Sequence, residues 1–142
     1  MQTFKSGSPE DTERIGEKLV KDLGTNLLIC LYGPLAAGKT TLVKGLAGAL
    51  GIEETIVSPS YVLLREYEGG SKLFHLDLFR IQSSQEFLEA GLEEYLLLEE
   101  GVVAIEWADR IEEVLPEERL DVELELTGEE QRKVKLTSYL EI

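Results

Sequence analysis

Leu27-Leu28-Ile29-Cys30-Leu31-Tyr32-Gly33-Pro34-Leu35-Ala36-Ala37-Gly38-Lys39-Thr40-Thr41 is the stretch that decides how this chain is read. Six mostly β-favouring apolar residues run straight into Gly-x-x-x-x-Gly-Lys-Thr, and a helical pattern follows from Thr40 to Leu50, with Gly51 as its stop. Strand, loop and helix in that order are the phosphate-binding P-loop. Such a loop turns successive backbone N–H groups inward at a helix N-terminus, where unpaired donors and partial positive charge favour an anion. Gly33 and Gly38 admit the backbone angles, Lys39 is placed for the β- and γ-phosphates, and the Thr40 hydroxyl for Mg²⁺. Any glycine-rich turn before a helix can meet a short pattern; here the strand, the Lys-Thr pair and the helix all fall where the chemistry needs them. Ala36 and Ala37 leave the loop less glycine-rich than many, which narrows its backbone freedom.

With 142 residues the chain fits a single domain, 1–142, with enough length to bury roughly two-thirds of its unfolded surface. Fourteen basic against 28 acidic residues give a formal charge of −14, poor equipment for gripping a polyphosphate backbone directly. Nucleic acid, if involved, is therefore expected to be held by a partner. The one cysteine, Cys30, excludes an intrachain disulfide and favours a reducing compartment. The N-terminus lacks an apolar signal core and no run approaches the ~20 apolar residues that span a bilayer, so a cytoplasmic protein without a membrane is expected.

Outward from the loop, Ser8-Pro9-Glu10-Asp11 reads as a helix start, Ile15, Leu19, Val20 and Leu23 as its apolar stripe, and Gly24 as its end. A short edge strand precedes it at Thr3–Lys5. Ser58-Pro59-Ser60 argues for a loop, followed by strands Tyr61–Tyr67 and Lys72–Phe79 joined by Glu68-Gly69-Gly70-Ser71 as a hairpin. Ser83 with Glu86 resembles a capping box opening a short helix, and Leu92–Glu100 reads as a second helical piece. Val102-Val103-Ala104-Ile105 is a continuous apolar run, expected as a central strand buried on both faces. Ala108–Leu115 is a further helix closed by Pro116, and Leu120–Leu126 with Lys133–Leu140 forms a terminal antiparallel hairpin. The expected fold is α/β: one P-loop NTPase-like domain, a mixed, mainly parallel sheet flanked by helices, with a C-terminal β-hairpin.

A P-loop needs acidic groups to hold Mg²⁺ and an attacking water beside the γ-phosphate. Glu106 ends the Val-Val-Ala-Ile strand, where ligands of open α/β sheets sit. Asp77 ends Leu73-Phe74-His75-Leu76, and alternation puts Leu73, His75, Asp77 and Phe79 on one face, with Phe74, Leu76 and Leu78 on the other. The plainer role for each acid is to cap the next element or pair with Arg80 or Arg110. A lone histidine such as His75 is more often hydrogen-bonded within a fold than catalytic. Trp107 either stacks near a base or fills the core. The loop at Ser60 offers a hydroxyl toward the γ-phosphate side, although loops of this composition usually only connect.

Together these residues resemble the TsaE (YjeE) family, the small ATPase of bacterial tRNA threonylcarbamoyladenosine (t6A) biosynthesis. Four blocks carry the likeness in order: Gly33–Thr41, Ser58-Pro59-Ser60-Tyr61, His75-Leu76-Asp77-Leu78-Phe79-Arg80 and Glu106-Trp107. The resemblance implies a P-loop domain that hydrolyses ATP with Mg²⁺ and works with the proteins TsaB and TsaD, which install the threonylcarbamoyl group on tRNA; this chain would meet tRNA through those partners. It implies that Lys39, Asp77 and Glu106 are catalytic and that Thr40, Asp77 and Glu106 serve the metal. It implies nucleotide contacts along Gly33, Pro34, Leu35, Ala36, Ala37, Gly38, Lys39, Thr40 and Thr41, and at Ser60, Trp107, Thr12 and Arg132. Ser60 stands where the family usually has threonine, so the hydroxyl survives. The family's loop commonly reads Gly-Asp-Leu-Gly-Ala-Gly-Lys-Thr, whereas Pro34 and Ala36 replace Asp and Gly here; Pro34 also removes a backbone donor.

Two other functions share the loop. A small-molecule kinase uses the same phosphate grip, but the chain is short and no arginine-rich lid stands out. A nucleotide-gated binding module would hydrolyse little and change partner affinity as ATP orders the loop around Ser60. No Asn-Lys-x-Asp guanine-reading motif occurs, which disfavours a GTPase.

Overall fold

A computed structural model describes residues 2–140. The elements run β1 (Gln2–Ser6), α1 (Pro9–Leu23), β2 (Asn26–Tyr32), α2 (Lys39–Ala49), β3 (Leu64–Glu68), β4 (Lys72–Asp77), α3 (Ser84–Glu89), β5 (Gly101–Glu106), β6 (Leu120–Leu126) and β7 (Arg132–Ser138). Two 3-10 segments, Glu93–Leu96 and Ala108–Val114, flank β5 in sequence.

All the strands join one seven-stranded sheet in the order β1-β7-β6-β2-β5-β4-β3. The four central strands β6, β2, β5 and β4 are mutually parallel, and antiparallel partners extend the sheet on each side. Alternation then sorts the apolar residues into two layers. Leu27, Ile29, Leu31, Leu73, Val102, Ala104, Leu120, Val122 and Leu124 pack with the apolar stripes of α1 and α2. Cys30, Phe74, Leu76, Val103 and Ile105 pack on the opposite face with Phe87, Leu92, Leu96 and Ile111. Every residue of β5 is buried, as a strand covered on both faces requires.

Helix α1 starts where its sequence asks. The Ser8 hydroxyl accepts the Asp11 N–H at 3.2 Å, Glu10 and Asp11 fill the first turn, and Gly24 closes the helix at φ 98°. Its contact with α2 is unusually close. A Cβ on Gly16 would collide with the Leu42 carbonyl and one on Gly45 with the Glu13 carbonyl, so the two helices touch backbone to backbone.

Several boundaries differ from the sequence reading. Tyr61–Leu63 form a turn rather than the start of a strand: the Val62 and Leu63 N–H groups both bond the Pro59 carbonyl, and Leu63 takes φ 70°. Only Glu93–Leu96 of the expected Leu92–Glu100 helix is helical, as one 3-10 turn. Ala108–Val114 is 3-10 and kinks at Ile111 (φ −131°). The Ser83 cap forms, but the returning Glu86 carboxylate takes the Gln82 N–H at 2.6 Å, one residue earlier than a capping box specifies.

Candidate functional site

The loop between β2 and α2 lies at the C-terminal edge of the parallel strands, the edge at which open α/β sheets bind ligands. Gly38 is the N-cap of α2 at φ 100°, Ala36 takes φ 63°, and Gly33 takes φ 146°. Gly33 admits no side chain, since its Cβ would stand 2.6 Å from the Leu124 carbonyl oxygen of β6. Lys39 is buried and folds its ammonium back onto the loop, donating to the carbonyls of Gly33 and, at 2.8 Å, Pro34. Pro34 has lost a donor, yet its carbonyl also accepts the Ala37 N–H at 3.2 Å and helps fix the turn. The Lys39 ammonium lies 3.9 Å from the Trp107 ring centroid. Burial lowers its pKa, opposed by Glu106, Asp77 and Asp109 in that order.

Asp77 and Glu106 are register partners at the ends of the adjacent parallel strands β4 and β5. Thr40 Oγ1 donates to Glu106 Oε2 at 2.7 Å, and His75 Nε2 lies 2.6 Å from that same oxygen. Asp77 Oδ2 accepts from Ser58 Oγ at 2.7 Å and Ser60 Oγ at 3.2 Å, while Oδ1 takes the Phe79 N–H at 3.0 Å. Both carboxylates are buried and each is bound to a hydroxyl-bearing segment, Asp77 through both of its oxygens and Glu106 through Oε2 alone.

A cleft of about 430 Å³ gathers these groups. Thr12, Leu35, Ala36, Ala37, Gly38, Lys39, Thr40, Thr41, Ser60, Asp77, Glu106, Trp107 and Arg132 all line it, whereas Gly33 and Pro34, at the start of the loop, do not and serve as carbonyl partners of Lys39. Thr12 enters from α1, its hydroxyl 2.7 Å from that of Ser6. Arg132 enters from β7, with Nη2 donating to the Ala36 carbonyl at 3.0 Å. Trp107, in the left-handed region at φ 59°, packs at 5.2 Å against Phe79 on one rim, and Arg80 stacks at 3.9 Å on the exposed Tyr61 ring on another.

The cleft is also lined by Pro9, Ser58, Tyr61, Phe79 and Arg80, to which the sequence alone assigns no contact in the site. Residue type alone could have pointed to Ser58, because a hydroxyl two residues before Ser60 shares its loop.

The donors at Thr40, Asp77 and Glu106 are all hard oxygens, which suits Mg²⁺. Among the described residues no three His, Cys, Asp or Glu side chains gather as a metal-binding group.

A family model described as "Threonylcarbamoyl adenosine biosynthesis protein TsaE" matches residues 6–134. The chain belongs to the TsaE family. It is 39% identical over 129 residues to the tRNA threonylcarbamoyladenosine biosynthesis protein TsaE of Treponema pallidum, a match covering 91% of this chain and 95% of that one. The TsaE protein of Bacillus subtilis is 36% identical, with 95% and 84% covered. Among solved structures, the crystal structure of Bacillus subtilis YdiB superposes with a TM-score of 0.76 at 31% identity, covering 97% of this chain and 85% of that one. The family likeness thus spans the sheet, both large helices and the cleft.

Proposed function

We propose that this TsaE-family chain binds and hydrolyses Mg-ATP in the cleft, weakly when alone, and thereby assists a TsaB–TsaD pair in tRNA threonylcarbamoyladenosine modification. The observation that carries the proposal is the convergence of Lys39, Thr40, Asp77 and Glu106 on one cleft at the head of α2. In this reading Lys39 exchanges its loop carbonyls for phosphate oxygens, and the loop N–H groups at the start of α2 bind the same anion. Thr40 with the Asp77 and Glu106 carboxylates would hold Mg²⁺, which would supply neutralisation of charge on the phosphates. Trp107 and Phe79 offer apolar surface beside them, and Glu106 is the acid for an attacking water. With a formal charge of −14, tRNA would be held by the partners.

The test is hydrolysis of ATP and GTP by the purified chain, with and without TsaB, TsaD and tRNA. ATP turnover that rises with the partners is expected, with losses of about 100-fold or more in Lys39→Ala and Glu106→Gln. Unchanged turnover in both variants would sink the residue assignments, and partner-independent turnover would sink the assisting role.

A second reading, a nucleotide-gated binding module, draws support from one contact set. Ser58 and Ser60 tie their loop to Asp77, so an ion engaging that carboxylate competes for the loop's anchors. ATP-dependent partner binding that persists in Glu106→Gln would favour it.

A further inference from the structure

His75 is the only histidine in the chain, and its side chain is completely buried behind Glu106. Its register partner on β5 is Ala104, whose small side chain leaves the imidazole room to lean diagonally toward Glu106, two residues further on. There Nε2 lies 2.6 Å from Oε2. A carboxylate oxygen only accepts, so that contact needs hydrogen on Nε2. The other ring nitrogen, Nδ1, is buried and has no hydrogen-bond partner among the described residues. A hydrogen on Nδ1 would be an unpaired buried donor, which costs more than an idle acceptor. The pocket therefore selects one tautomer.

Both hydrogen bonds to Glu106 fall on Oε2, one from Thr40 and one from His75. Oε1 is thereby left for the cleft that Glu106 lines. Thr40 is also the hydroxyl expected to engage Mg²⁺, so its bond to Oε2 is exchangeable, whereas His75 faces no competing ligand. We infer that His75 is a positioning residue: its Nε2–H pins Oε2 so that Oε1 is presented to the reacting phosphate side through every step in which Thr40 changes partner. This rests on Glu106 serving nucleotide hydrolysis, as proposed above.

Two measurements test it. In the unmutated chain, ¹H–¹⁵N correlation of the single imidazole is expected to show the Nε2–H tautomer with a slowly exchanging proton, and the exchange is expected to quicken in Glu106→Ala. Hydrogen on Nδ1 would overturn the inference, independent of any activity. In turnover assays, His75→Phe is expected to lower kcat about tenfold or more with ATP affinity within about twofold of the parent. His75→Gln, which restores a donor near the Nε2 position, should recover part of that loss. In the Glu106→Gln background, His75→Phe should cost nothing further. An undiminished loss there would overturn the inference, because His75 would then act without Glu106. The two readings fail separately. If Glu106→Gln alone leaves hydrolysis intact, the role proposed for Glu106 in hydrolysis falls; if Glu106→Gln abolishes turnover and His75→Phe does not change it, only the positioning role falls.

Discussion

Cys30, on the strand that leads into the loop, has no exposed surface and packs on the α3 side of the sheet; its register partner on β6 is Asp121, which pairs with Arg119. Burial pushes its thiol up to about 12, Asp121 adds to the rise and Arg119 opposes it. The folded chain therefore keeps a proton that the unfolded chain gives up near its ordinary value of 9.0. The corresponding stability is fully present below that value and drains away as pH rises toward 12. Urea midpoints at about pH 7 and about pH 10.5 should show the parent losing more stability than Cys30→Ala; equal losses would contradict the burial account. Ala36 offers a second single-residue test. Its φ of 63° places an L side chain in the left-handed region, costing about 1–2 kcal/mol against glycine's entropic penalty of about 0.5–1. Denaturant stability should rank Ala36→Gly above the parent and Ala36→Val below it.

At the scale of elements, α1 and α2 show how little tolerance their contact leaves. A methyl at Gly45 meets the Glu13 carbonyl and cannot rotate away, so Gly45→Ala should separate the helices and cost about 1–3 kcal/mol in chemical denaturation. An exposed control such as Gly128 in the β6–β7 turn should cost far less, its nearest obstacle being the flexible Gln131 side chain. This contact was not legible in the sequence, where Gly16 and Gly45 look like ordinary helix weaknesses. What was legible had strong local causes. Ser8 and Pro9 fixed the start of α1, the apolar run Val102–Ile105 announced a doubly covered strand, and alternation along Leu73–Leu78 assigned both faces of β4. The P-loop residues and both acids follow from spacing and strand ends, and all of them but Gly33 and Pro34 line the cleft. What the sequence hid was either a single irregular turn or a contact set by a partner distant in the chain. Leu63 is turned by the Pro59 carbonyl, the Glu93–Leu96 turn is too short for a period to show, and the bond from His75 to Glu106 crosses strands 31 positions apart. Strand order, which places β6 rather than β3 beside β2, has no local signature at all.

For the whole molecule the excess of acids matters more than any one pair. The four close pairs of Lys or Arg with a carboxylate among the described residues include short-range helix contacts at Arg14–Asp11 and Lys18–Asp22, both well exposed. Exposed pairs of this kind contribute little, so a net charge of −14 acts mainly as self-repulsion. Raising NaCl from about 10 mM to about 0.5 M should therefore raise the melting temperature by a few degrees through screening. A fall would mean that favourable pairs outweigh the repulsion. No helix among the described residues is long and apolar enough to cross a membrane. The same acidity would favour a basic partner surface, and Lys39, Arg80 and Arg132 at the cleft are local exceptions to it. Finally, Asp77 and Glu106 face each other in register on neighbouring strands. Their spacing is thus a property of the backbone ladder, about 4.8 Å from strand to strand, and not of side-chain fit. Drift in the surrounding core can loosen the cleft's walls without changing this ruler. The two acids part only when β4 and β5 unzip, so irreversible loss of the site on heating and loss of the central sheet should be a single event.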